Sequence, residues 1–230
     1  MLIVMSLGGS ILAGDLDPAC FLKYADVLRT ISEKHDLLVV TGGGVYARRY
    51  IELARGVGAD EVTCDFLGID ITRINAKMLI TALGDDAWPT VPESYDEAKT
   101  AMKNGKIVVM GGVIPGQTTD AVSAAMTEYL NADLLIIPTS VDGVYTADPN
   151  VDKNAEKYDQ IPVAELVRMS FGAALKAGSK SPVDPIACKL IERCGIRTIV
   201  MDGRNTDDLI ALIEAEAKGP QDKCCGTIIV

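Results

Sequence analysis

The sequence predicts an α/β protein, a three-layer α/β/α sandwich around a largely parallel sheet. Short runs rich in Val, Ile and Leu alternate with longer stretches whose apolar residues recur at helical spacing. Repetition of strand, helix and strand favours parallel strands, because each helix returns the chain across the sheet. Apolar residues occupy 48% of the 230 positions, which is ample for one sizeable core. We therefore expect a single domain, 1–230, with two lobes of about 1–130 and 131–230.

The short apolar runs are predicted as buried strands, because polar residues hardly interrupt them. They are Leu2 to Leu7, Leu37 to Thr41, Ala87 to Val91, Ile107 to Met110, Leu134 to Pro138, Ile196 to Met201 and Thr227 to Val230.

The stretches between these runs are predicted as helices. The first has the clearest signals, since Asp17 stands at the N-cap and Pro18 at the first helical position. The predicted helices are Pro18 to Glu33, Tyr46 to Arg55, Thr72 to Leu83, Tyr95 to Asn104, Ala121 to Leu130, Asp184 to Cys194 and Thr206 to Lys218. The polar stretch from Val141 to Gln160 is predicted as irregular, and such stretches after a strand often hold ligands in open α/β sheets.

Net charge excludes one class of partner. Lys and Arg total 22 against 32 for Asp and Glu, a formal net charge of −10. A polymer of phosphates would be repelled, so no nucleic-acid partner is expected. A small phosphorylated metabolite stays possible, because a few cations and backbone amides can bind one locally.

The termini and cysteines predict a cytoplasmic protein with no membrane partner. The run MLIVMSLGGSIL has no basic leader, and no stretch reaches the roughly 18 apolar residues of a membrane span. The six cysteines form no CxxC pair and His35 is the only histidine, so no zinc ligand set is expected. A single histidine removes most catalytic schemes that pair a Ser or Cys nucleophile with a His base, unless His35 itself is the base. His35 precedes an apolar strand and is predicted to mark a turn.

Glycine clusters follow three of the predicted strands, and their recurrence is the informative point. They are Gly8-Gly9, Gly42-Gly43-Gly44, and Gly111-Gly112 with Pro115-Gly116. A single glycine cluster usually only turns the chain. Three at the same end of a parallel sheet can present backbone amides to several phosphates. No P-loop or dinucleotide GxGxxG spacing occurs, so a P-loop enzyme is not favoured.

Polar residues near these clusters allow a ligand interpretation and a simpler one. Arg48 and Arg49 follow the middle cluster and could reach a phosphate or form a solvated helix face. Thr118, Thr119 and Asp120 could bind a ligand or simply cap a helix. The Asp-Gly and Asp-Pro pairs within SVDGVYTADP are also ordinary turn formers.

Taken in order, the segments GGS, GGGVYARRYI, DFLGIDITRINA, MGGVIPGQTTDA, SVDGVYTADP and VDPIACK resemble the amino acid kinase family. Within that family they are most similar to the archaeal branch whose phosphoryl acceptor is UMP. The resemblance covers Leu2 to Cys194 together with the C-terminal strand. It implies a single-domain α/β/α sandwich, with 1–130 as the acceptor lobe and 131–230 as the ATP lobe. It also implies Mg²⁺ with ATP as co-substrate and assembly as a homohexamer, a trimer of dimers.

The resemblance also implies roles for individual residues. Those implied to bind ATP are Gly9, Ser10, Gly44, Arg48, Thr139, Tyr145 and Asp148. Those implied to bind UMP are Gly43, Asp65, Val113, Ile114, Pro115, Gly116, Gln117, Thr118 and Thr119. Those implied to be catalytic are Arg48, Asp120, Asp184 and Lys189, and no residue is assigned as a metal ligand.

One position departs from the family pattern. Many family members have a lysine two residues before the first glycine, and this chain has Ser6 there. Lys180 or Lys189, which flank Asp184, could supply the missing cation, although both could equally be surface lysines. Two alternatives therefore stay open: a family member with another acceptor, such as carbamate or isopentenyl phosphate, or a non-catalytic nucleotide-binding protein that stores metal or acts as a sensor.

Overall fold

The computed structural model describes residues 1–147, 149, 151–174 and 183–230, and it is built on one sheet. Its strands are β1 Leu2–Leu7, β2 Asp36–Thr41, β3 Val108–Met110, β4 Leu134–Thr139, β5 Gln160–Ile161, β6 Thr198–Asp202 and β7 Thr227–Ile229. Within the described residues the strand order across the sheet is β3-β2-β1-β4-β6-β7-β5. Every pairing is parallel except that of β6 with β7, so the prediction of a largely parallel sheet is confirmed.

Helices connect the strands and cover both faces of the sheet. They are α1 Gly9–Leu12, α2 Pro18–Ser32, α3 Gly44–Gly56, α4 Glu61–Leu83, α5 Tyr95–Ala101, α6 Thr119–Leu130, α7 Val163–Ala174, α8 Pro185–Cys194 and α9 Thr206–Glu216. Short 3₁₀ turns occupy Gly84–Asp86 and Met102–Asn104.

Alternate residues of each strand enter two separate cores. Ile3 and Met5 of β1 pack in one core with residues of α2, α4 and α9, whereas Val4 packs in the other with residues of α6 and α8. A strand buried on both faces has to be apolar at successive positions, which explains the unbroken runs in the sequence. The three predicted layers are therefore confirmed. No helix within the described ranges is both long and apolar enough to cross a lipid bilayer.

Most predicted elements are confirmed within a few residues. The Asp17 carboxylate caps α2 by accepting a hydrogen bond from the Ala19 amide at 2.9 Å, with Pro18 in the first turn, as expected. The run from Ala87 to Val91 was predicted as a strand, and this is wrong: only Ala87 forms a bridge, to Ile107. Pro89 lies within the run and has no amide proton for a ladder hydrogen bond.

Helix α4 begins eleven residues before the predicted start at Thr72, at Glu61. Asp60 caps it by accepting a hydrogen bond from the Thr63 amide at 2.9 Å. Apolar residues lie around much of its circumference, so the early turns have no clear apolar stripe. Helices α1 and α7 and strand β5 were not predicted at all.

The parallel register places two glycine loops against each other. Leu7 of β1 lies opposite Thr41 of β2, so both chains leave the sheet side by side. A Cβ atom on Gly9 would lie 2.3 Å from the Gly44 nitrogen and 2.4 Å from the Gly42 oxygen. Gly44 also has a φ of +64°, a conformation that side chains rarely adopt. The two main chains can approach this closely only where both lack side chains.

We expect Gly9→Ala to lower the free energy of unfolding by about 2 kcal/mol or more, because the rigid backbone atoms around it cannot move aside cheaply. Gly56→Ala is the matched control: nothing lies within 4 Å of a Cβ there, and the residue ends α3. That control should be neutral or stabilising, by up to about 1 kcal/mol. Urea unfolding measures both values. Equal stability of the two variants would contradict the close-contact interpretation.

Candidate functional site

A cavity of about 390 Å³ opens at the carboxyl ends of β1, β2 and β4. Its walls come from both glycine loops, the first turns of α3, one side of α4 and the start of α6. The lining residues are Ser6, Gly8, Gly9, Ser10, Gly42, Gly43, Gly44, Ala47, Arg48, Ile51, Asp65, Gly68, Ile69, Thr72, Gly112, Gln117, Thr118, Thr119, Asp120, Ile137, Pro138 and Thr139. This is the edge of an open α/β sheet at which ligands are expected.

Many of the predicted site residues therefore share one cavity. Those that line it are Gly9, Ser10, Gly43, Gly44, Arg48, Asp65, Gln117, Thr118, Thr119, Asp120 and Thr139. Predicted residues that do not line it are Val113, Ile114, Pro115, Gly116, Tyr145, Asp184 and Lys189. Asp148 and Lys180 lie outside the described residues.

Helix α3 presents free amides to the cavity. It begins at Gly44, with two residues between it and the end of β2, and no side chain caps its first turn. The first amides of a helix have no partners within the helix and carry a partial positive charge, so they suit an anionic oxygen. Arg48 is exposed and lines the cavity one turn later. Arg49 instead lies 5.9 Å from the centre of the Tyr46 ring, so the two adjacent arginines differ in their surroundings.

Buried polar side chains of helix α4 hold the glycine loops after β2 and β3. The Thr72 hydroxyl accepts a hydrogen bond from the Gly112 amide at 2.7 Å and donates one to the Ile69 carbonyl at 2.6 Å. Asn75 donates to the Gly42 carbonyl at 2.8 Å. Thr72 and Asn75 were not predicted as site residues, and their only sequence signal is a polar side chain on the buried face of a helix.

The loop after β3 is attached to its surroundings at several points. The Asp65 carboxylate accepts a hydrogen bond from the Gly116 amide at 2.8 Å, and the Tyr95 hydroxyl donates one to the Gln117 side-chain oxygen at 2.5 Å. Arg73 donates to the Gly112 carbonyl at 3.2 Å and forms an ion pair with Glu93 at 2.8 Å. Asp65 and Gln117 therefore already have partners that fix their positions beside the cavity.

Ser6 and Asp120 meet at the base of the cavity. The Ser6 hydroxyl is almost fully buried and donates a hydrogen bond to the Asp120 carboxylate at 2.7 Å. Burial raises the pKa of Asp120 above its usual value, and the nearby negative charge of Asp184 raises it further, although the hydrogen bond from Ser6 lowers it. Ser6 thus contacts a carboxyl group where many family members have a lysine.

Two of the predicted site residues act as helix caps. Thr118 caps α6 by accepting a hydrogen bond from the Ala121 amide at 3.2 Å, and it also lines the cavity. Asp184 caps α8 through the Ala187 amide at 2.9 Å. The capping interpretation of Thr118 is therefore supported, and Asp184 has the same role at the start of α8.

Three further residues have local partners away from the cavity. Lys189 is exposed on α8 and forms an ion pair with Glu192 at 2.7 Å. Tyr145 donates a hydrogen bond to Asp142 at 2.6 Å. His35 lies in the turn before β2, at the other end of the strand from Gly42, with its Nδ1 3.4 Å from the N-terminal nitrogen. Across the described residues, no cluster of three or more His, Cys, Asp or Glu could hold a metal ion.

Comparison with known proteins gives consistent results. Residues 1–202 match the profile of the amino acid kinase family. A uridylate kinase of Methanosarcina mazei is 60% identical over 229 residues, covering 100% of this chain and 98% of the relative. A uridylate kinase of Haloarcula marismortui is 48% identical over 93% of this chain and 94% of the relative.

Solved structures with the same fold are also found. The uridylate kinase of Archaeoglobus fulgidus has a TM-score of 0.88 at 37% identity, with both chains covered completely. The UMP kinase of Bacillus anthracis has a TM-score of 0.81 at 22% identity, covering 99% of this chain and 95% of that one, and at this identity it supports the fold alone.

The raised pKa of Asp120 predicts that this residue makes the folded protein less stable as the pH rises. Because the pKa of Asp120 is raised on folding, the folded protein binds this proton more tightly, and stability is lost as pH rises above the unfolded carboxyl value of about 4. Asp120→Asn keeps an oxygen that can accept the Ser6 hydrogen bond but does not ionise. The gain in unfolding free energy of this variant over the wild type should therefore increase between about pH 4 and pH 8.

The control for this prediction has the opposite sign. Hydrogen bonds from Thr63 lower the pKa of Asp60, so the stability it contributes is present above its unfolded pKa and is lost as pH falls. Asp60→Asn should therefore become relatively less stable as pH rises. Urea unfolding at several pH values measures both trends, and a gain for Asp120→Asn that is constant with pH would contradict the analysis.

Proposed function

The chain belongs to the amino acid kinase family, and from this premise we propose that it transfers the γ-phosphoryl group of ATP to UMP, giving ADP and UDP. One observation carries the proposal: the glycine loops after β1 and β2 and the residues at the start of α6 line one cavity. Arg48 forms part of its wall. Such an arrangement suits two phosphate groups held close together. Identity of 60% to a uridylate kinase supports UMP as the acceptor.

This reaction needs little acid–base chemistry from the protein. The phosphate of UMP is already ionised at neutral pH, so one of its oxygens attacks the γ-phosphorus directly, and the bond to the bridging oxygen of ADP breaks. The site has to align two anions that repel each other and stabilise the charge on the transferred group. Backbone amides of the glycine loops and the Arg48 guanidinium suit this task.

We assign UMP and the ATP phosphates to residues of 1–130, and the base and ribose of ATP to residues of 131–230. In this proposal ATP phosphates lie at Gly9, Ser10, Gly44 and Arg48, and its base and ribose lie near Thr139, Tyr145 and Asp148. UMP lies against Gly43 and Asp65 and along the segment from Val113 to Thr119. Asp120, Asp184 and Lys189 complete the proposed catalytic set. The support for this division is that Asp65, a carboxylate, suits a ribose hydroxyl better than a phosphate.

Mg²⁺ bound to ATP is part of the proposal and would neutralise part of the phosphate charge. Among the described residues, two carboxylates line the cavity, Asp65 and Asp120, so nucleotide oxygens and water would supply most ligands. Lys189 would neutralise less of the phosphate charge than Mg²⁺, because its ammonium group already pairs with Glu192. The six cysteines, all within the described residues, are free thiols, which supports a place in the cytoplasm.

Assembly as a homohexamer, a trimer of dimers, belongs to the same proposal. Its support is a group of exposed apolar side chains on α3, at its C-cap and on α4, two helices that pack against each other. These side chains are between 49% and 78% exposed: Tyr50, Leu53, Val57, Val62, Phe66, Ile74 and Met78. A patch of this kind is typical of an interface between copies of a chain. Light scattering measures the mass of the assembly.

ADP release tests the function directly. The acceptors to compare are UMP, CMP, dUMP, GMP, carbamate and isopentenyl phosphate. Turnover that depends on UMP supports the proposal, whereas turnover with another acceptor alone would identify a different kinase of this family. ATP binding with no turnover for any acceptor would favour a storage or sensor protein, an alternative motivated by Ser6 at the lysine position.

We expect Arg48→Ala to lower kcat/KM at least about tenfold, because one charge-assisted contact to phosphate contributes on the order of 1.5–3 kcal/mol. Arg49→Ala is the matched control, since this guanidinium lies over Tyr46. It should change kcat/KM much less. Near-wild-type kinetics for both variants would show that the two arginines only solvate the helix surface.

We expect Asp65→Asn to raise the KM for UMP much more than the KM for ATP. The asparagine oxygen can still accept the Gly116 hydrogen bond, so the loop should keep its position while an acceptor for the ribose is lost. Steady-state kinetics with each nucleotide varied in turn provides the measurement. A larger shift for ATP would mean that the two nucleotides are assigned to the wrong halves of the site.

A further inference from the structure

Strand β7 holds the stretch 141–159, which follows β4 along the chain. Thr227 is the first residue of β7 and is fully buried. Its hydroxyl group accepts a hydrogen bond from the Val144 amide at 2.8 Å and donates one to the Tyr158 carbonyl at 2.5 Å. An amide only donates and a carbonyl only accepts, so the direction of both bonds is fixed. One side chain of β7 therefore joins the beginning and the end of this stretch.

The two ends of the stretch also pair with each other. The Tyr158 amide donates a hydrogen bond to the Val144 carbonyl at 2.9 Å. The next residues, Tyr145 and Lys157, form an antiparallel bridge. Because Val144 directly precedes Tyr145, the contact from Thr227 fixes the backbone from which the Tyr145 side chain extends.

The chain comes closest to Thr227 at a glycine. A Cβ atom on Gly143 would lie 2.4 Å from the Thr227 hydroxyl oxygen, so a larger residue fits there only if this contact shifts. The Asp-Gly pair of this stretch is an ordinary turn former in the sequence. Its glycine has a second role in the structure, since it lets the main chain reach the hydroxyl of β7.

Lys157 is a second link between this stretch and the C-terminal segment. Its ammonium group donates a hydrogen bond to the Cys225 carbonyl at 3.2 Å and forms an ion pair with the Asp142 carboxylate at 3.4 Å. The Tyr145 hydroxyl donates to the same carboxylate at 2.6 Å. The hydrogen bond from Tyr145 and the charge of Lys157 lower the pKa of Asp142, so this carboxylate is ionised at neutral pH and accepts both contacts.

We propose that Thr227 is a positioning residue for the donor nucleotide, because it holds Val144 and thereby places Tyr145 beside the base and ribose of ATP. Strand β4 ends at Thr139, which lines the cavity, and the stretch 141–159 begins two residues later. Thr227 itself does not line the cavity, so it acts through the main chain of this stretch. This inference rests on the proposed function, which assigns Tyr145 to ATP.

The test is Thr227→Val, which keeps the shape of the side chain and removes its hydroxyl group. The KM for ATP should rise at least about fivefold with little change in kcat, because the Val144 amide loses the partner that fixes it. The KM for UMP should stay within about twofold of the wild type, since the residues assigned to UMP all lie in 1–130. Thr227→Ser keeps the hydroxyl group and should restore the KM for ATP to within about twofold of the wild type.

Thr198→Val is the matched control for the loss of a buried threonine hydroxyl. Thr198 is also fully buried, begins β6 and donates a hydrogen bond to the Ile196 carbonyl at 3.0 Å. Its replacement should lower the melting temperature but leave the KM for ATP within about twofold of the wild type. A rise in the KM for ATP equal to that of Thr227→Val would overturn the proposal, because lost stability would then explain both variants.

Lys157→Met replaces Thr227→Val as the test if the latter does not fold. It cuts the second link to the C-terminal segment and should raise the KM for ATP at least about threefold. Lys153→Met is its matched control, because Lys153 is an exposed lysine of the same stretch and its loss removes the same charge. Equal changes in the KM for ATP would show that only the lost charge matters and would overturn the proposal.

Dissociation constants for ATP and UMP, measured by calorimetry on the same proteins, keep this proposal distinguishable from the proposed function. A wild type that binds ATP but releases no ADP with any acceptor would overturn the kinase function, while the dissociation constants for ATP would still test Thr227. An active wild type whose folded Thr227→Val variant keeps the KM for ATP within about twofold would overturn the positioning role alone. Equal rises in the KM for ATP and the KM for UMP would also overturn it.

Discussion

The rest of this site depends on the close backbone contact between the glycine turns that follow β1 and β2. β1 and β2 are neighbouring parallel strands, and each leads directly into a helix. In this structure the turns after β1 and β2 touch: a Cβ atom on Gly42 would lie 2.6 Å from the Gly9 nitrogen, so these turns can pack together only without side chains. Gly9, Gly42 and Gly44 meet this condition. The same absence of side chains exposes the amides, so the packing requirement and the anion-binding surface have one origin.

Around this contact, the site is held by hydrogen bonds that exist without any ligand. Thr41 donates to the Thr72 carbonyl at 2.9 Å, which joins the end of β2 to α4. Asn75 then holds the glycine loop after β2, and Thr72 and Asp65 hold the loop after β3. No buried side-chain nitrogen or oxygen of the described residues lacks a hydrogen-bond partner. A site whose polar groups are already positioned needs little rearrangement to receive two anions, which favours in-line transfer.

The sequence predicted the strands that are buried on both faces and the positions of the glycine loops, because both depend on local patterns. It did not predict the start of α4, since Asp60 and the mixed surface of the early turns have no distinctive periodicity. It also placed a strand from Ala87 to Val91, where only Ala87 pairs and Pro89 has no amide proton for a further ladder hydrogen bond. Ser6, Thr72 and Tyr95 act through partners 114, 40 and 22 residues away, and such contacts are set by tertiary packing. Family resemblance supplied the assignment of nucleotides to particular residues, which local patterns alone could not provide.

The antiparallel strand β7 has a consequence for how the protein is made. β7 lies between β6 and β5, and β5 pairs with β7 alone among the described strands. The four strands β3, β2, β1 and β4 need only residues up to Thr139, so they can pair while the ribosome is still translating the rest. β5 is synthesised more than sixty residues before Thr227, so its backbone has no strand partner until β7 has been made. The β3 edge of the sheet can therefore form early in synthesis, whereas the β5 edge can form only after β7 has left the ribosome.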